Sequence, residues 1–229
     1  MVQTVEEIAK LLQEESVKSV QKYCDKLRPN WRNCSGYRDL LSEAYAALMF
    51  ARSGFNVEMR ESPDLRLEYR GLVIGAEVTR FRRKVQDGID DQRMKGADDS
   101  FEKMHNLLAK YGDTVPTEGK KAWEQVEEVA KKKCSQLCTG IPNVLVIESS
   151  SPNCIEDTEI QPAVDSLTDQ NASGIIGDTG KLNGIVFLSL QYNVRQHRSV
   201  YFFEICNASV PLPDEARQAL DAITEWKTG

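Results

Sequence analysis

The chain has 229 residues, 41% hydrophobic and 28% charged, with 29 Lys and Arg against 35 Asp and Glu for a net charge of −6. This composition excludes a mainly disordered chain, and a folded domain of this length buries roughly 70% of its unfolded surface with no need of a disulfide or metal staple. The acidic balance argues against a surface coated in base for unspecific adhesion to nucleic acid or membrane, while leaving room for a local basic groove.

The opening MVQTVEEIAK carries acid where a secretion signal needs positive charge and an apolar run. No stretch approaches the ~20 apolar residues of a membrane span. A cytoplasmic protein without membrane contact is expected. Thr4-Val5-Glu6-Glu7 fits a capping box, and Ile8, Leu11, Leu12, Val17, Val20 and Leu27 continue an apolar stripe, which predicts one helix over 5–27 stopped by Pro29. A second helix is predicted over 37–52, ended by Gly54. The period then changes to two, giving strands over 56–60, 64–69 and 72–80. Residues 81–118 are charged and broken by glycines, and read as a solvated insertion. A helix over 120–138 and a continuous apolar strand at 144–147 follow. Residues 149–183 are rich in Ser, Asp and Gly and read as loop. Strands at 185–190 and 200–205 precede a last helix from Pro213-Asp214 to about Trp226, with Asp214 as its N-cap. The order of elements predicts a single α/β domain over 1–229.

Six cysteines (Cys24, Cys34, Cys134, Cys138, Cys154 and Cys206) lack paired CxxC spacing. Cys134 and Cys138 are one turn apart, but His105 and His197 stand in unrelated contexts, so reduced thiols are expected rather than a zinc site.

The chemistry lies elsewhere. If the strands over 64–69 and 72–77 form a hairpin about Arg70-Gly71, Tyr69 faces Leu72, Leu67 faces Ile74 and Leu65 faces Ala76. The same register puts Asp64 opposite Glu77, with Cβ atoms about 4.5–5.5 Å apart. Two facing carboxylates repel unless a positive group lies between them. A divalent cation such as Mg²⁺ satisfies that need; solvation at a sheet end, or neutralisation by Arg66 or Arg80, satisfies it without a ligand. Glu43 adds a third acid, because it falls within the apolar stripe of Leu40, Ala44, Ala47, Leu48 and Ala51. A buried carboxylate there needs a cation or strong donor, whereas one at the stripe's edge reaches water. Lys133 and Gln136 share a side with Trp123, Val126, Val129, Ala130, Cys134 and Leu137. Lys133 therefore either snorkels or points at the acidic pocket.

Together Glu43, Pro63-Asp64 and Glu77-Val78-Thr79 resemble the PD-(D/E)XK nuclease superfamily over about 36–147, with strands near 185–205 compatible. The resemblance implies a restriction-endonuclease-like α-β-β-β-α-β core: a central mixed sheet flanked by helices, here with extra N- and C-terminal helices. It implies Mg²⁺ (or Mn²⁺) held by Glu43, Asp64, Glu77 and the main-chain carbonyl of Val78, and hydrolysis of phosphodiesters, with DNA the expected substrate. Thr79 stands at the signature lysine position and supplies no cation. Arg80 alternates to the opposite face. Lys133 is the preferred replacement, which makes Asp64, Glu77 and Lys133 the catalytic set, ahead of Lys120 and Lys121. Arg80, Arg82, Arg83 and Lys84, with Phe81 among them, read as a grip on a nucleic-acid backbone or as an ordinary charged run. Such nucleases often pair to cut two strands, which leaves a homodimer open. The alternative is a degenerate nuclease fold that binds nucleic acid or protein without cutting.

Overall fold

The computed structural model describes residues 4–30, 34–81, 122–149, 157–173, 178–191 and 197–224. The chain parts into two units, Met1–Phe81 with Trp123–Gly229, and Arg82–Ala122. The charged stretch after Phe81 lies outside the described residues, as do Arg82, Arg83, Lys84, Lys120 and Lys121.

The fold is α/β. Strands β1 (Asn56–Met59), β2 (Leu65–Tyr69), β3 (Leu72–Arg80), β4 (Asn143–Ser149), β5 (Gly184–Gln191) and β6 (His197–Glu204) make one six-stranded sheet in chain order. The first three form an antiparallel meander, β4 and β5 run parallel to β3, and β6 returns antiparallel. Helices α1 (Val5–Glu14), α2 (Val20–Leu27), α3 (Cys34–Arg52), α4 (Ala122–Cys134), α5 (Asp157–Ala172) and α6 (Asp214–Asp221) flank it. Among the described residues no helix is long and apolar enough to cross a membrane.

The pleat sorts side chains onto two faces. Val57, Met59, Leu65, Leu67, Ile74, Ala76, Val78, Val144 and Val146 join α1, α2 and α3 in one core. Residues that alternate with them, Leu145, Ile147, Ile185 and Phe187, are buried on the other face, and every residue of β4 is buried. That is the pattern of a strand covered on both sides. The hairpin between β2 and β3 turns at Arg70 (φ 50°) and Gly71 (φ 84°), both left-handed, as the twist-matched two-residue turn requires. Its register pairs Leu65 with Ala76, Leu67 with Ile74 and Tyr69 with Leu72.

Three elements differ from the sequence reading. The helix expected over 5–27 is two helices, because Ser16 (φ 58°) and Ser19 (φ 65°) are left-handed. The break lets Lys18 pair with β1: its amide donates to the Val57 carbonyl at 2.9 Å, and its carbonyl accepts from the Met59 amide at 3.2 Å. A sheet edge is closed by interrupting a helix. The stretch read as loop over 149–183 contains α5, whose Ile160, Ala163, Val164, Leu167 and Asn171 are buried at helical spacing between polar neighbours. The last helix stops at Asp221, with Pro213 as N-cap, while Asp214 is its first residue and pairs with Arg217.

Candidate active site

The acidic residues gather where β2 begins. Residues 60–64 close a turn in which the Arg60 amide donates to the Asp64 carbonyl at 2.8 Å. Ser62 Oγ ties that turn to the carbonyl of Gln136, just beyond α4, at 3.1 Å. Asp64 thus stands one residue before the ladder, and its Oδ2 accepts from the Val78 amide at 2.9 Å. Val78 is buried in β3, with its side chain in the α3 core. Glu77 alternates with Ala76 and Val78 and faces the other way, beside Thr79. From α4, Lys133 Nζ reaches Glu77 Oε2 at 3.1 Å. From α3, Glu43 is capped by Lys26 of α2, whose Nζ lies 3.3 Å from Oε1 and 3.2 Å from Oε2.

All three carboxylates are buried: Glu43 is 9%, Asp64 8% and Glu77 1% exposed. Burial pushes the Glu43 carboxyl up from 4.5 to about 7, and the Asp64 charge pushes the same way against the two ammoniums of Lys26 and Lys133. Glu77 is also raised to about 7, by burial first and then by Asp64, with Lys133 opposing. Asp64 is thus the hub, coupled to Glu43 on one side and to Glu77 on the other. Among the described residues no three His, Cys, Asp or Glu side chains form a ready-made cation cage. The acids instead make a chain, with a lysine at each end.

One atom is unfinished. Glu77 Oε1 is buried and has no hydrogen-bond partner, a costly condition for a carboxylate oxygen. An oxygen donor set with a bare buried oxygen beside a second carboxylate fits a hard divalent cation, which takes one or two carboxylates and keeps water on its other positions.

Arg80 turns to the α3 face, where its Nε lies 3.3 Å from Asp39 Oδ1. Cys134 is buried at the end of α4 and Cys138 half-buried beyond it, neither in a disulfide. Lys26 escaped the sequence reading. Its place against Glu43 depends on how α2 packs on α3, fixed by the buried Val20, Tyr23, Cys24 and Leu27 and by Tyr23 Oη donating to the Leu40 carbonyl at 2.5 Å. The only trace in the sequence is a basic residue one position before the stripe's last leucine.

Comparison with known proteins returns no match, whether against family models, curated proteins or solved structures.

Proposed function

We propose that the chain is a metal-dependent nuclease that hydrolyses phosphodiester bonds, with DNA as substrate and Asp64 and Glu77 as the principal ligands of Mg²⁺ or Mn²⁺. The single observation that carries the reading is the bare Oε1 of Glu77, buried next to Asp64. The element order supports it too: a helix, an antiparallel meander of three strands, a helix and a strand parallel to the third. That is the order the resemblance to the PD-(D/E)XK superfamily implies.

A divalent cation bound there offsets charge on the phosphate and lowers the pKa of an attacking water. The protein's own groups do the rest. The Val78 amide orients Asp64, leaving Oδ1 free of that bond. Lys133 holds Glu77 by one oxygen and places an ammonium on the face shared with Thr79, where the signature lysine is missing. Glu43, whose carboxyl feels the Asp64 charge, is the third acid of the set and would add a further oxygen to the cation once its own counter-ion moves.

Calorimetric titration with Mn²⁺ near pH 8, followed by a cleavage assay on linear and circular DNA, tests the reading. Binding and cleavage that both vanish in Asp64→Asn are expected; cleavage equal to the parent in that variant overturns the assignment. A second reading, a nuclease-like fold that binds without cutting, is favoured by one observation: Lys26 and Lys133 already neutralise part of the acidic charge. No Mn²⁺ binding at millimolar concentration decides for it.

A further inference from the structure

The two lysines contact their acids differently. Lys133 touches one oxygen of Glu77 and leaves the other bare, so a cation can take Oε1 without disturbing it. Lys26 bridges both oxygens of Glu43. A cation that takes either oxygen of Glu43 therefore competes with this ammonium for the same lone pairs. The exposures point the same way. The Glu43 side chain is 12% exposed and that of Lys26 43%, so the ammonium caps a nearly closed carboxylate from the solvent side. The backbone beneath Lys26 is anchored by buried α2 residues and by the Tyr23–Leu40 hydrogen bond. Only the side chain needs to move, and once displaced it stays beside the site.

We propose that Lys26 is a resident counter-ion of the acidic centre, displaced from Glu43 when a divalent cation enters and thereby freed to contact a phosphate oxygen of the nucleic-acid substrate. This rests on the metal-dependent reading above. It gives α2, which precedes the segment from α3 to β4 in the chain, a direct part in holding substrate. It also supplies a second cation to a site whose signature lysine is Thr79. The exchange makes and breaks only ionic contacts and hydrogen bonds.

Amine acetylation read by mass spectrometry, on the full chain with and without Mn²⁺, tests the exchange. Lys22 lies one turn earlier on α2 and pairs at 2.9 Å with the exposed Glu61, so it serves as the internal reference. Mn²⁺ should raise the labelling rate of Lys26 about threefold, the scale of losing one part-exposed ion pair. Lys22 should not change, and Asp64→Asn should show no rise. Calorimetry on the same sample separates the two claims. If Mn²⁺ binds while Lys26 labelling stays flat, the exchange is wrong and the metal reading stands; if Mn²⁺ does not bind, both fall. Duplex DNA binding in Ca²⁺ tests the phosphate contact. The slope of log affinity against log salt should drop by about one in Lys26→Gln and return in Lys26→Arg. An unchanged slope in Lys26→Gln overturns it.

Discussion

Two buried glutamates on neighbouring strands, Glu77 in β3 and Glu148 in β4, meet opposite fates. Glu148 is 4% exposed, and Ser42 of α3 donates its hydroxyl to Oε2. The Arg80 guanidinium, its partner in the parallel register, adds favourable charge. Glu148 faces α3 and is satisfied from within the fold. Glu77 faces the other side of the sheet, is more deeply buried, and is left with one oxygen on a lysine and the other bare. A buried acid supplied with a hydroxyl and an arginine is part of the scaffold. A buried acid left half-satisfied beside a second carboxylate is where we propose the ligand.

Substitutions can break that contrast. The largest effect is expected at the unfinished site: Asp64→Asn or Glu77→Gln reduces Mn²⁺-dependent cleavage to background, while circular dichroism shows the fold retained. At the finished site the loss is in stability. Ser42→Ala removes a hydrogen bond to a charged acceptor and should cost about 1.5–3 kcal/mol in urea denaturation, leaving Mn²⁺ affinity unchanged.

A pH series sharpens the same comparison. Glu43 and Glu77 hold their protons up to about 7 in the folded chain, whereas in the unfolded chain they ionise near 4.5. Between those values the native state binds more protons, so stability present below the lower value is lost as pH rises through the upper one. The denaturation midpoint of the metal-free protein should therefore fall between pH 5 and pH 8. Saturating Mn²⁺, which favours the ionised acids, should remove much of that fall, and Glu43→Gln with Glu77→Gln should flatten it. A metal-free midpoint that rises over this range contradicts the burial of unmatched acid. The smallest effect is expected at the surface: Lys22→Ala breaks an exposed, solvent-screened pair with Glu61 and should leave the urea denaturation midpoint unchanged.

The hairpin was legible because two local constraints agree. Arg70-Gly71 sets a two-residue turn, and the alternation of Leu65, Leu67, Ile74 and Ala76 allows one register. The burial of Glu43 was legible as a charge inside an apolar helical stripe. The break between α1 and α2 was not, because Ser16 and Ser19 leave the helical region in answer to β1, which is distant in the chain. Helix α5 was hidden by its polar positions and by Pro162 inside it. Lys26 could not be aimed at Glu43 while α1 and α2 were read as one rod. Local pattern fixes registers within a hairpin, but the meeting of separate helices is decided by tertiary packing.

A crystal of the protein soaked in Mn²⁺ and read for anomalous scattering speaks most directly to the acidic centre. A peak bonded to Glu77 Oε1 and Asp64, with Lys133 still on Oε2, is the expected result. Crystals that take up no manganese there, with all three carboxylates unmoved on their present partners, would show that the bare oxygen is a feature of packing and not a ligand site.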